Sequence, residues 1–312
     1  MRALRALIAA ALATGTVLLA APQARKGLEW RPEKGRGLAL LEDGVPLWVL
    51  HFAAEDNWPY FHPLRLPGGP IMTGLSPKDH LWHRALWFSS KFINGTNFWE
   101  FRDLKDPRSE PAGRTESIGD EEVNTTDRGA AIVLTIDYRR GTEVLLKEKR
   151  RVEIEMPRPD GSYAIDWDMT FAPGGGDVEL GKDTGYAGLF FRAAADWKEP
   201  RYLNSEGRTL MDVHQAPAAW IDLSGVIDRE FGPLGIAILA HPGNPRFPAP
   251  WWRDRSRDDD EIAYVGTALL FPGPITLKRG STLNLRYRVY VHKGYGEIKV
   301  LDGEFARFSR KR

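Results

Sequence analysis

The chain has 312 residues, with 43 basic and 42 acidic side chains, seven His, eleven Trp and no Cys. A formal net charge of +1 argues against nucleic acid or an anionic membrane surface as the partner. Without Cys there is no disulfide framework, no Cys–zinc site and no thiol nucleophile.

The start of the chain stands apart. Arg2 and Arg5 precede residues 6–21, an uncharged run rich in Ala, Leu and Val. At about 16 residues it falls short of the roughly 20 that span a bilayer as a helix. A basic start, an apolar centre and small residues at Ala20, Ala21 and Ala24 describe a secretory signal peptide over 1–21, cut somewhere in 20–24, with Pro22 disturbing the small-x-small pattern. A periplasmic or secreted location follows as the expectation, with a retained N-terminal anchor as the alternative. No later segment is apolar for long enough to span as a helix, and losing Arg2 and Arg5 leaves residues 22–312 slightly acidic.

Residues 22–312 read as one domain, since no Ser/Gly tract, acidic block or repeat divides them, and large β folds run to this length. Ser76-Pro77 predicts a short helix through Arg84, with Pro at its first position. Strands are predicted over 131–138 and 142–156. From Tyr163, alternation places Ile165, Trp167, Met169 and Phe171 on one face and Asp166, Asp168 and Thr170 on the other. Further strands are expected over 187–193, 210–213, 219–223 and 234–240. Leu283, Leu285, Tyr287, Val289 and Val291 then alternate with Asn284, Arg286, Arg288, Tyr290 and His292. Residues 296–307 predict a second helix. Turns at Arg140-Gly141, Asp160-Gly161, Glu206-Gly207 and Arg279-Gly280 separate the strands. Many short strands between Gly and Pro turns imply an all-β, antiparallel sandwich or barrel with few short helices.

Chemistry-bearing residues concentrate in four places. Residues 76–101 hold Asp79, His80, Trp82, His83, Arg84, Trp87, Asn97, Trp99 and Glu100. Imidazoles transfer protons near neutral pH, so His80 and His83 are candidate acid–base groups, with Trp99, Asn97 and Glu100 as substrate contacts. The alternative is hydrogen-bonded His beneath a loop with Trp as core. Around the strand 187–193, Asp183, Tyr186 and Arg192 are candidate binding residues, and a buried Arg192 needs acceptors. His241 and Asn244 open a Pro- and Gly-shaped loop after the strand 234–240, His241 as a further acid–base candidate and Asn244 as a ligand contact. His292 ends the strand that begins at Leu283, on its polar face, and is a fourth binding candidate. Trp rings stack on the C–H faces of sugars while Asn, Arg and His bond hydroxyls, which makes a carbohydrate or similar small molecule the expected ligand. No HExxH, P-loop, GxSxG or dinucleotide fingerprint is present. No cofactor is expected; a zinc site from His241, His292 and one of His80 or His83 is conceivable, but the spacing does not specify it.

Asp79-His80-x-x-His83-Arg84-x-Leu86-Trp87-Phe88, Asn94-Gly95-x-Asn97-Phe98-Trp99-Glu100, Gly188-Leu189-Phe190-Phe191-Arg192 and His241-Pro242-x-Asn244-Pro245-Arg246-Phe247-Pro248 occur in that order. Together they resemble the exported bacterial PmoA family, whose members often carry the label methane oxygenase. The match runs from about Pro59 to Gly294. Members usually have a further His where Trp82 stands, and Trp-His near Trp251-Trp252. The resemblance implies a shared fold and site, not a literal membrane monooxygenase, which needs several spanning helices. By analogy with β-sandwich proteins of polysaccharide degradation, it implies a supersandwich or galactose-mutarotase-like fold. The expected function is a glycan-acting hydrolase, lyase or epimerase outside the cytoplasm, with His80 or His83 opposed by His241 in one cleft. The rival expectations are a non-catalytic sugar-binding or accessory module and a structural, partner-binding β domain.

Overall fold

The computed structural model describes residues 27–78, 80–100, 112–119, 121–181, 187–253 and 263–311. The chain opens with β1 (Leu28–Glu33), β2 (Gly37–Glu42), β3 (Val45–His51), β4 (Tyr60–Leu64), β5 (Leu86–Ser90), β6 (Phe92–Ile93) and β7 (Thr96–Asn97). Then come β8 (Arg114–Ser117), β9 (Glu122–Thr126), β10 (Gly129–Arg140), β11 (Glu143–Glu155), β12 (Tyr163–Pro173), β13 (Val178–Gly181) and β14 (Ala187–Arg192). The last third holds β15 (Lys198–Asn204), β16 (Trp220–Val226), β17 (Leu234–Ala240), β18 (Trp251–Arg253), β19 (Tyr264–Thr267), β20 (Ile275–Leu277) and β21 (Leu283–Lys293), then the helix α1 (Ile298–Phe308).

Two large sheets result. The first runs β1-β2-β3-β4-β5-β14-β19-β18, and the second β15-β16-β17-β21-β12-β11-β10-β8, with β9 on β10. A small sheet, β20-β13-β6-β7, stands beside them. The pairings are antiparallel, as between β12 and β21, where Tyr163 faces Val291 and Phe171 faces Leu283. Period-two alternation makes these sheets a sandwich. Leu86, Phe88, Leu189, Phe191 and Val265 of the first sheet share one core with Trp167, Leu223, Ile236, Ile238 and Val289 of the second. Their neighbours along each strand must therefore point outward, on opposite sides of the molecule. On the outer face of the second sheet, Leu301 and Phe308 of α1 pack against Trp220, Leu239 and Tyr290. Buried Glu304 pins that helix through Arg158 and through Arg288 (3.4 Å), whose Nε also bonds Asp166 at 2.6 Å.

Two expected elements differ. Among the described residues of 76–84 no helix forms: the His80 N–H donates to the Pro77 carbonyl and the His83 N–H to that of His80, and a Leu75–Arg84 bridge closes the loop. Those two bonds run from each residue to the third before it, so the helical i to i−4 ladder is never started. Leu210–Val213 is a 3-10 turn rather than a strand. Leu210 has φ +51 and is 61% exposed, so no sheet face buries it.

One glycine is required by the pairing of the site strands. Gly188 sits inside β14 at φ +135, and a methyl group there would fall onto the Thr267 hydroxyl. That hydroxyl accepts the Leu189 N–H at 3.1 Å and donates to the Ala187 carbonyl at 3.2 Å. Strain and overpacking add, so Gly188→Ala is expected to cost at least about 2 kcal/mol. Urea denaturation checks this, and an unchanged midpoint would mean that β14 and β19 separate freely.

Candidate functional site on the outer face of the first sheet

The outward residues of β4, β5, β14 and β19 build a buried aromatic cluster. Tyr60 pairs with Trp87, and Trp87 with Phe190, so three rings lie in one row across three strands. Phe190 in turn faces Gly266, where a side chain would enter the Phe190 ring. This clearance lets Phe190 lie parallel to Tyr264, 5.5 Å apart at 6°. His83 stacks on Tyr264 at 4.9 Å and 15°, and His80 stacks on His83 at 4.5 Å and 26°. The result is a continuous column, His80–His83–Tyr264–Phe190. Trp99 closes its flank, 5.5 Å from Trp87 and edge-on to Phe190 at 4.9 Å. Trp82 stands edge-on to His80 at 5.2 Å, and Trp82 and Trp252 pack against the cluster from outside.

The loop that delivers the two His is anchored tightly. Ala85, fully buried, adopts φ +62, an uncommon conformation for a residue with a side chain. Its carbonyl accepts the Arg192 N–H at 2.7 Å, and the Arg192 carbonyl accepts the Gly74 N–H at 2.9 Å. Strain held by surrounding structure in this way clusters at functional sites. His83 and Arg192 are only 3% and 4% exposed, Arg192 on the same outward side of β14 as Phe190. Arg84 lies over Trp58 at 5.4 Å and over Tyr60 at 5.9 Å, and donates to the Ser76 hydroxyl at 3.2 Å. Burial lowers the Arg84 pKa and pushes the Tyr60 phenol up to about 12, with Asp56 adding to the rise. Tyr60 is therefore a neutral ring beneath a cation.

Asn97 and Glu100, expected as substrate contacts, spend their polar atoms on the loop itself. The Asn97 Oδ1 accepts the Trp99 N–H at 2.7 Å, and its Nδ2 donates to Glu100 at 2.7 Å. Glu100 also pairs with Lys91 at 2.7 Å. These residues position Trp99. Stacked imidazoles among aromatic walls, with two guanidinium groups nearby, can carry protons and hold a ring-shaped polar ligand.

The family model described as a family of unknown function, DUF6807, matches residues 37–305. The chain belongs to this family. No curated protein matches it. Among solved structures, this DUF6807 member is similar to heparan sulfate lyase HepC from Pedobacter heparinus (8% identity, TM-score 0.40, 84% of this chain and 34% of that one). It is also similar to the GH36 alpha-galactosidase AgaA from Geobacillus stearothermophilus (11%, 0.41, 86% and 40%) and to a galactose mutarotase-like protein from Lactobacillus casei (12%, 0.37, 85% and 100%). It thus spans about a third of the lyase. Likeness at this level carries no argument about activity.

The remaining sequence candidates of the DUF6807 protein lie elsewhere. His241 directly follows β17 of the second sheet, where its Nδ1 accepts the Gly243 N–H at 3.0 Å and its ring meets Phe308 at 5.3 Å. Burial lowers its pKa. Asn244 is consumed by the backbone of Arg286, bonding its carbonyl at 2.8 Å and its N–H at 2.7 Å. His292 faces outward from β21 of the same sheet, bonded to Asp222 at 2.8 Å. The single cleft in which His80 or His83 would oppose His241 therefore does not form. His80, His83 and Arg192 share one outer face, and His241 and His292 belong to the opposite sheet. The conceivable zinc set is scattered with them, and among the described residues no group of three or more His, Asp or Glu is placed to hold a metal. Tyr186 and Asp183, and also Asp79, lie outside the described residues.

Proposed function

We propose that this protein binds a carbohydrate on the outer face of its first sheet and acts on it outside the cytoplasm by histidine acid–base chemistry, as a hydrolase, lyase or epimerase. The observation that carries the reading is the stacked His80–His83 pair on the Tyr264–Phe190 column. His80 is the more open of the two rings and exchanges protons with the ligand, while His83 fixes its orientation. Trp82 and Trp252 give flat rings to the C–H faces of a sugar, and Arg192 receives a carboxylate or a developing oxyanion. The displacement of His241 from this face favours a second reading, a sugar-binding module without turnover, because it removes the expected opposing proton carrier.

The test is a panel of oligosaccharides assayed for binding and for product. Turnover by the natural chain that falls about 10²–10⁴-fold in His80→Ala and His83→Ala, with folding intact, supports the enzyme. Binding without product, lost in Trp82→Ala, supports the binding module. Neither binding nor product on any glycan overturns both.

A further inference from the structure

A second constellation lies on the other side of the sandwich, where β15, β21 and the start of α1 enclose a cavity of about 800 Å³. That volume is within the range of small-molecule sites. We infer that this cavity binds a neutral mono- or disaccharide unit, independently of the aromatic face.

Beneath the lining residues His292 and Gly296 runs a chain of buried polar groups. His292 Nε2 bonds Asp222 Oδ1 at 2.8 Å, and the other carboxylate oxygen accepts the Ser224 hydroxyl at 2.8 Å. The Ser224 oxygen accepts the Gly296 N–H at 3.3 Å. Asp222 and Ser224 are wholly buried, and His292 is 6% exposed. Two glycines make room for this pair: a side chain at Gly235 would strike the His292 ring, and one at Gly296 would strike the Asp222 carboxylate. Packing alone would be served as well by apolar residues, because a buried ion pair is weak evidence of stability. With Nε2 on Asp222 and Nδ1 near the Lys293 carbonyl at 3.4 Å, His292 fixes the end of β21 that lines the cavity.

The walls say which ligand. Tyr290 stacks on His292 at 5.4 Å and 19°, and Tyr295 carries Arg201 at 5.6 Å above its ring. Arg201 and Lys293 are balanced by Asp160 and Glu297 along the same lining, so the cavity carries no excess charge to recruit an anion. Tyr290 is covered by His292 and by Arg158 at 5.2 Å, so the apolar wall is left to Tyr295, Leu203, Ile298 and Val300, and these beside paired hydrogen-bonding groups of both signs suit a hydroxylated ring with C–H faces, which is the surface of a neutral sugar.

Glucose, galactose, cellobiose, lactose and, as the charged counterpart, galacturonic acid would be titrated by calorimetry into the natural chain and into Arg201→Ala, Tyr295→Ala and His83→Ala, with thermal melts confirming that each variant folds. The expected result is binding of at least one neutral sugar that is weakened tenfold or more by Arg201→Ala and Tyr295→Ala, with a binding event that persists in His83→Ala. Loss in His83→Ala with the other two unaffected would assign the sugar to the aromatic face and overturn the inference. Preference for galacturonic acid, or no neutral sugar bound, would overturn it as well. Because His83→Ala is scored separately, failure of this site and failure of the aromatic face are told apart.

Discussion

Glu148→Ala is expected to destabilise the protein by about 3–5 kcal/mol, the range for breaking a buried charge pair. Glu148 and Arg150 both point from β11 into the space between the two sheets, with side chains 0% and 1% exposed. Arg150 bonds Glu148 twice, Nε to Oε1 at 2.6 Å and Nη2 to Oε2 at 2.9 Å. The Tyr138 hydroxyl donates to the same carboxylate at 2.7 Å. Burial holds the Tyr138 pKa well above its usual value, so the donor keeps its proton. Around the guanidinium lie the rings of Phe88 at 5.7 Å and Trp167 at 5.2 Å. Removing the carboxylate leaves a cation among apolar side chains and strands the Tyr138 hydroxyl. The double variant Glu148→Leu with Arg150→Met should recover most of the loss, because apolar replacement of a whole pair is near neutral. Urea denaturation measures both. A single-variant loss below about 1 kcal/mol, the worth of an exposed pair, would mean that the pair is not carried by its burial.

This pair also shows where sequence reading stops. Tyr163–Phe171 and Leu283–Val291 were legible because each inward position is apolar and the outward ones, Ala164 apart, are polar, and the two strands pair in register, Tyr163 with Val291. In β11 the inward series is Leu146, Glu148, Arg150, Val152 and Ile154, with Lys147, Lys149 and Arg151 opposite. Charge on both faces hides which face is inside. Only the cancellation of Glu148 by Arg150 allows them to be buried, and alternation carries no information about cancellation.

The site was legible in part for a similar reason. His80, His83, Trp99 and Arg192 stood out because costly residue types crowd together, and the fold brings them to one face. Tyr264 was missed. It follows the segment 254–262, rich in charged residues, and its strand, Tyr264–Thr267, has only four residues, too short to display a period. Alternation placed His292 on the polar face of its strand, correctly, but cannot say which of two sheets that strand joins. Its partner was hidden too, since Asp222 reads as an ordinary outward residue of β16 until the register sets β17 between β16 and β21.

Asp222→Asn is the second large effect, and its size should depend on pH. Burial works against a charge on His292, but the attraction and hydrogen bond of Asp222 outweigh it, and the His292 pKa is raised, with the Lys293 and Gly294 carbonyls adding to the rise. Tyr290 stacks on the ring, and Arg201, Lys293, Asp160 and Glu297 line the cavity beside it. A His whose folded pKa exceeds its unfolded value of about 6.5 takes up a proton on folding. The stability this contributes is fully present below that unfolded value and is lost as pH rises through the folded one. Asp222→Asn removes the attraction, so its deficit should be greatest below the unfolded value, about 3 kcal/mol, and should shrink as pH rises through the folded pKa of His292. Urea denaturation of the two proteins across a pH series measures the gap directly. A deficit that is constant with pH would show that His292 holds no extra proton in the folded state, and one that grows as pH rises would reverse the sign of the coupling.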